Sequence, residues 1–289
     1  MKSCGDSMSL VKSKTLLENA HAGKYGVGAF NVANMEMIIG AIKAAEELQA
    51  PIILQIAEVR LNYSPLDLIG PMMVAAAQQA RVPVAVHLDH GLTIETVKKA
   101  LDIGFSSVMI DGSKLPIEEN IKLTKKVVEM AKKYKADVEA EIGIVGGSED
   151  GTEANKIKYT DLNEAVKLAK ETGIDAMAVA IGNAHGVYRE EPKLNFDILK
   201  KIHESIGDTR LVLHGGSGIC EEDFKKTIAN GITKLNVATA TFLSVYDKVK
   251  EKNDKITNYF QLSEAEVEGA YLNVKKHIKI FGTENKASL

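Results

Sequence analysis

Gly104-Phe-Ser-Ser-Val-Met-Ile-Asp111 joins a helix end to a strand. A glycine that can end a helix in the left-handed conformation is followed by an apolar residue, two further residues and a short apolar run. The same order recurs in Gly173-Ile-Asp-Ala-Met-Ala-Val-Ala180 and in Gly231-Ile-Thr-Lys-Leu-Asn-Val-Ala238. Working outward, similar runs occur at Gly26–Asn31, Ile52–Ala57, Val84–Asp89, Ser107–Asp111, Asp137–Glu141, Ala176–Gly182, Leu211–His214 and Lys234–Ala238. They are rich in Val, Ile and Ala and apolar on both parities, which predicts strands of a parallel sheet buried on both faces. Helical segments separate them. Ser64-Pro65 predicts an N-cap followed by proline at the first helical position, and Asp161-Leu-Asn-Glu164 a capping-box entry. Ile117–Tyr134 places Ile117, Ile121, Val127, Val128, Ala131 and Tyr134 near one face, with lysines opposite.

Eight such units predict a closed (β/α)8 barrel, an α/β fold of TIM-barrel type. An open doubly wound sheet is the alternative; it favours a glycine-rich turn after the first strand, and Phe30-Asn-Val-Ala-Asn34 is not one. After Ala240 the pattern is helical and charged, which predicts a helical C-terminal extension for packing or oligomer contacts. Residues 1–8 are expected to be a disordered extension without the apolar segment of a signal peptide, and residues 9–289 one domain.

The chain of 289 residues is 45% hydrophobic and 26% charged, with a net charge of −3. That composition excludes a disordered or collagen-like chain and offers no basic footprint for nucleic acid. Two cysteines, Cys4 and Cys220, make no disulfide framework, so a cytoplasmic location is expected. No apolar run is long enough for a membrane span.

Chemistry in a barrel sits at the C-terminal ends of the strands. Those ends carry Asn31, Asp89, His90, Asp111, Glu141, Asn183, His185, His214 and Asn236. Taken singly, each histidine is an ordinary loop residue. Together His90, His185 and His214 converge on one mouth with Asp111 and Glu141, and three imidazoles with an open position suit a catalytic zinc. His87 shares the strand parity of Asp89, whereas His90 lies on the other parity or in the turn, so His87 is expected behind the site. His21, His203 and His277 fall on helical or surface segments. The loops His214-Gly-Gly-Ser-Gly218 and Asn236-Val-Ala-Thr239 follow the last two strands, where glycine amides and the hydroxyls of Ser217 and Thr239 suit a phosphate. Gly143–Gly151 has the composition of a mobile lid carrying Glu149 and Asp150.

His87-Leu-Asp-His-Gly91, Met109-Ile-Asp-Gly-Ser113, Glu139-Ala-Glu-Ile-Gly143, Gly182-Asn-Ala-His-Gly186, His214-Gly-Gly-Ser-Gly218 and Asn236-Val-Ala-Thr239 together resemble the class II ketose-bisphosphate aldolases. These are the zinc-dependent fructose- and tagatose-bisphosphate aldolases, and the resemblance runs from about Leu10 to Thr239. It implies that His90, His185 and His214 bind the catalytic zinc, and that Asp111 and Glu141 hold an alternative or second metal position. It implies Asp89 as the acid/base serving the ketose C4 hydroxyl and the aldehyde oxygen, and Glu149 as the lid acid acting on dihydroxyacetone phosphate. Gly186, Gly215, Gly216, Ser217, Asn236, Val237, Ala238 and Thr239 match the positions for that substrate's phosphate and a nearby monovalent cation, and Asn31 is expected to bind substrate. A phosphosugar substrate and a homodimer or homotetramer follow.

The chemistry suits the inventory, because aldol cleavage leaves a carbanion beside a carbonyl, which a metal Lewis acid or a lysine Schiff base can stabilise. No lysine falls in the predicted mouth on strands five to seven; Lys114 lies just past strand four and Lys234 begins strand eight at the wrong end. Two departures concern the aldehyde half. Ala57 stands where the family often offers a hydroxyl, and Ile256-Thr-Asn-Tyr-Phe260 lacks the arginine that relatives direct at the far phosphate. The resemblance implies reversible cleavage of a ketose 1,6-bisphosphate, fructose or tagatose, to dihydroxyacetone phosphate and glyceraldehyde 3-phosphate, and the two departures point to the alternative, a related aldolase using a different aldehyde. A non-catalytic phosphosugar-binding barrel would tolerate loss of Asp89 or a histidine. A metal-dependent isomerase would not need the phosphate cradle together with a lid acid.

Overall fold

Among the described residues, eight parallel strands close into a ring: β1 Val27–Asn31, β2 Ile52–Ala57, β3 Val84–Gly91, β4 Ser107–Ile110, β5 Asp137–Ile142, β6 Ala176–Val179, β7 Arg210–Leu213 and β8 Ile232–Val237. This computed structural model describes residues 9–147, 157–186 and 192–288, so the extension expected over residues 1–8 lies outside the described residues. The strands follow one another in chain order, and β8 returns to β1 in the register Val27↔Lys234 through Phe30↔Val237. That closing pair excludes the open sheet. Every residue of β1, β2 and β3 is buried, because one face meets the barrel interior and the other the surrounding helices.

Helix α1, Ser13–Gly23, lies across the N-terminal end of the barrel. Its Leu16, Leu17 and Ala20 join Val27, Ala29, Ile53, Ala85, Ala178 and Val212 in an apolar plug. The larger core lies between the sheet and the outer helices. Those helices are α2 Met35–Glu47, α3 Leu66–Gln79, α4 Ile94–Ile103, α5 Ile117–Tyr134, α6 Leu162–Thr172, α7 Phe196–Ser205, α8 Glu221–Ala229, α9 Thr239–Glu251 and α10 Tyr259–Phe281. Helices α9 and α10 form the expected C-terminal extension, and α10 packs along α2 and α9.

The three echoed glycines have φ of 105° at Gly104, 65° at Gly173 and 107° at Gly231. Asp161 caps α6, accepting from the amides of Asn163 and Glu164. Ser64 does not cap α3: its hydroxyl donates to the Ala33 carbonyl at 2.6 Å, and Pro65 takes the cap position. Tyr134 is 39% exposed rather than on the buried face of α5, because its hydroxyl donates to Asp102. Strand β6 is shorter than expected. Beyond Val179, Thr160 Oγ1 accepts from the Ala180 amide and Asn183 Oδ1 from the Ile181 amide, replacing ladder bonds. No helix among the described residues is long and apolar enough to cross a membrane.

Candidate active site

The site begins with an irregularity in β3. Leu88 pairs with Val108 and Gly91 with Ile110, so three steps on β3 oppose two on β4. This extra residue is a β-bulge, and within it His90 has φ of 41°. Regular alternation would turn His90 to the face opposite Asp89; the bulge lets both neighbours face the mouth.

Asp89 is 1% exposed. Its Oδ2 accepts from Asn31 Nδ2 at 3.1 Å and Gln55 Nε2 at 3.2 Å, and its Oδ1 from Asn236 Nδ2 at 2.9 Å. Gln55 Nε2 also donates to Asn31 Oδ1 at 2.8 Å. Strands β1, β2 and β8 thus aim amide donors at a carboxylate on β3. Burial alone would raise the Asp89 pKa, but the positive field of His90, His214 and Lys234 holds it at about 2. Asp89 is therefore an ionised, rigidly held carboxylate at neutral pH.

His90, His185 and His214 meet beside it. The ring centroid of His90 lies 5.0 Å from that of His185 and 4.5 Å from that of His214. Their ligand atoms lie within 4.8 Å of one another, as do those of His90, Asp111 and Glu141, so two overlapping donor sets could hold a metal ion. His90 Nδ1 lies 3.0 Å from Asp111 Oδ2, and the other Asp111 oxygen accepts from the Ser113 amide. His214 Nδ1 is buried 3.1 Å from Glu141 Oε2, but the pair lacks hydrogen-bond alignment. Burial and His90 oppose a proton on His214, yet Glu139 and Glu141 lift its pKa to about 9. Burial, then His90 and His214, push His185 well below the ordinary histidine value. This donor set fits a cation: three imidazoles and two carboxylates bring buried nitrogen and oxygen ligand atoms within 4.8 Å of one another in two overlapping sets.

His185 rides on a short strand, Ala184–His185, paired with Gly146–Gly147. Gly215 packs against this strand with φ of 65°, and a Cβ there would stand 2.1 Å from the Ala184 carbonyl oxygen. Only glycine allows that approach.

A cleft of about 420 Å³ opens over these groups. Asn31, Asp89, His185 and Asn236 line it on the barrel side, and Gly186, Gly215, Gly216, Ser217, Ala238 and Thr239 along its loops. Val237 does not line it: its side chain is fully buried in the outer core, because β8 is still a regular strand there. Ser217 Oγ accepts from the Ala240 amide at 2.9 Å, fastening one loop to the N-terminus of α9. Loop glycines and a helix N-terminus at one cleft suit an anion. Arg60 lies over the Phe242 ring at 5.6 Å, and both line the cleft.

Several participants carried no role in the sequence reading. Glu139 shares the strand parity of Glu141, and that alternation was the available signal. Gln55 gave only a buried polar residue in an apolar strand. Lys234 does not begin β8 at the wrong end: it is the third residue of that strand, 1% exposed, with Nζ 2.7 Å from Glu139 Oε2. His87 lies behind the site as expected, with Nδ1 2.8 Å from Ser107 Oγ. Glu149 lies outside the described residues.

Residues 11–286 match the family model described as "Fructose-bisphosphate aldolase class-II". The chain is 41% identical to the 6-phospho-5-dehydro-2-deoxy-D-gluconate aldolase of Halalkalibacterium halodurans, over 97% of this chain and 99% of the relative. It is 42% identical to the fructose-bisphosphate aldolase of Staphylococcus aureus, over 97% and 100% of the two chains. Among solved structures, the YdjI aldolase from Escherichia coli K12 superimposes with a TM-score of 0.87 at 34% identity, covering 96% of this chain and 100% of that one.

Proposed function

The chain belongs to the class II fructose-bisphosphate aldolase family, a family of metal-dependent lyases acting on phosphosugars, and on that premise we propose that it reversibly cleaves a ketose 1,6-bisphosphate, fructose or tagatose, to dihydroxyacetone phosphate and glyceraldehyde 3-phosphate. The observation that carries this reading is the buried, ionised Asp89 beside three convergent histidines, at a cleft whose loops suit a phosphate.

In this reading His90, His185 and His214 hold a zinc ion, with His90, Asp111 and Glu141 as a second metal position. The ion supplies a Lewis acid for the carbonyl beside which the carbanion develops. Asp89 takes the proton of the C4 hydroxyl during cleavage and returns it to the aldehyde oxygen during condensation. Asn31, Gln55 and Asn236 hold its oxygens in place while it does so. Glu149 moves the proton at the dihydroxyacetone phosphate carbon. Gly186, Gly215, Gly216, Ser217, Asn236, Ala238 and Thr239, with the backbone of Val237, hold the phosphate and a monovalent cation. The enzyme acts in the cytoplasm as a homodimer or homotetramer, and residues 9–289 make one domain.

A second reading changes only the aldehyde. Two relatives of nearly equal identity are named for substrates that share a phosphate and differ at the other end, one a bisphosphate and one a gluconate. In this chain Ala57, Arg60 and Phe242 also line the cleft, and Arg60 suits either anionic end. The test is activity of the zinc-loaded enzyme on a panel of ketose phosphates. Turnover of fructose or tagatose 1,6-bisphosphate well above the rest supports the first reading. Turnover confined to other ketose phosphates supports the second, and none at all would sink both.

A further inference from the structure

Between the apolar plug under α1 and the histidines at the mouth lies a buried polar layer of His87, Glu139 and Lys234. Lys234 and Glu139 side chains are 1% and 2% exposed, and Nζ meets Oε2 at 2.7 Å. The other Glu139 oxygen, Oε1, lies 2.9 Å from His214 Nε2. Lys234 does not line the cleft. A buried ion pair is weak evidence of stabilisation, since apolar residues of similar volume often serve as well. The direction of this pair is more informative: the ammonium pins one carboxylate oxygen and leaves the other aimed at a histidine ring. A carboxylate accepts, so His214 Nε2 carries a hydrogen, and Nδ1, 3.1 Å from Glu141 Oε2, is the nitrogen left to give up its proton to a metal.

We propose that Lys234 is a positioning residue for the histidine cluster: by clamping Glu139 Oε2 it presents Oε1 to His214, and so fixes the ring orientation and tautomer that leave Nδ1 available to a metal. The inference rests on the reading of His90, His185 and His214 as a metal site. Residues that orient a ligand from behind are worth about 10- to 100-fold in metal affinity. The path is long in sequence and short in space, since Lys234 stands on β8 and His214 directly follows the neighbouring β7, while Glu139 reaches across from β5.

The test uses the full chain stripped of metal, titrated with Zn²⁺ against a chromophoric chelator, and loaded with Co²⁺ for its visible spectrum. Lys234→Met should bind Zn²⁺ about 10- to 100-fold more weakly and alter the Co²⁺ bands. Because Lys234→Met leaves a lone buried carboxylate, the double variant Lys234→Met with Glu139→Gln removes that charge and keeps an acceptor for His214. Thermal unfolding should return toward the parent's in the double variant, while Zn²⁺ affinity and the Co²⁺ spectrum stay altered. Parent-like affinity and spectrum in Lys234→Met would overturn the inference. So would their return in the double variant, since Lys234 would then only balance charge. A parent that binds neither ion would overturn the histidine reading itself, and the inference with it.

Discussion

Asn236 Nδ2 donates to Asp89 Oδ1 at 2.9 Å, so the last strand of the barrel holds a carboxylate supplied by the third. With Asn31 and Gln55 on the other oxygen, Asp89 is oriented before any substrate arrives. Such preorganisation is what a proton-transfer group requires, because its geometry need not be assembled during the reaction.

Asp89→Ala should lower kcat by about 10²- to 10⁴-fold, the usual worth of a positioned acid/base. Zinc content, measured by atomic absorption, should stay near that of the parent. Loss of zinc together with activity would make Asp89 a ligand and remove its assigned role.

Stripping the protein with a chelator should abolish aldol cleavage, and added zinc should restore it. Borohydride with substrate should trap no covalent adduct, which mass spectrometry of the intact chain would detect. A trapped lysine, or full activity in chelator, contradicts the metal route.

Arg60→Ala should weaken handling of an aldehyde with an anionic end. A lost charge-assisted contact costs about 1.5–3 kcal/mol, or roughly 10- to 150-fold in kcat/KM. Comparing glyceraldehyde 3-phosphate with glyceraldehyde in condensation isolates that contact. Proton exchange between dihydroxyacetone phosphate and solvent should be unchanged in Arg60→Ala and slowed in Glu149→Ala. If the preference for the phosphorylated aldehyde survives Arg60→Ala, another cation grips that group.

His277 supplies a stability prediction away from the cleft. It is buried on α10 beside Phe30, Phe224 and Phe281. Burial, helped by nearby Lys276 and opposed by a hydrogen bond to the Asn273 carbonyl, depresses its pKa to about 4. The unfolded chain takes this proton near pH 6.5 and the folded chain only near 4, so acidification favours unfolding across that window. The loss amounts to roughly 3 kcal/mol by pH 4. His277→Leu should remove that part of the pH dependence, read as urea midpoints at pH 7.5 and 4.5. An identical drop in parent and variant would show that His277 does not contribute it.

The barrel was legible because its signals are local. Apolar runs such as Val84–Asp89 and helix-ending glycines such as Gly104 and Gly173 depend on burial and backbone preference within a few residues. The residues gathered at the mouth were legible for a related reason: in a closed parallel barrel every strand end faces the same way, so His90, His185 and His214 had to share one face once the strands were placed. Tertiary structure alone decided how these side chains meet. The bulge that turns His90 inward beside Asp89 is a mismatch between β3 and β4, not a property of either strand. The contact of Lys234 with Glu139 spans 95 residues of sequence, and that of Asn236 with Asp89 spans 147. Ser64 reads locally as a cap yet bonds Ala33, thirty-one residues earlier. Each depends on register and stagger around the ring, which are set when all eight strands close together.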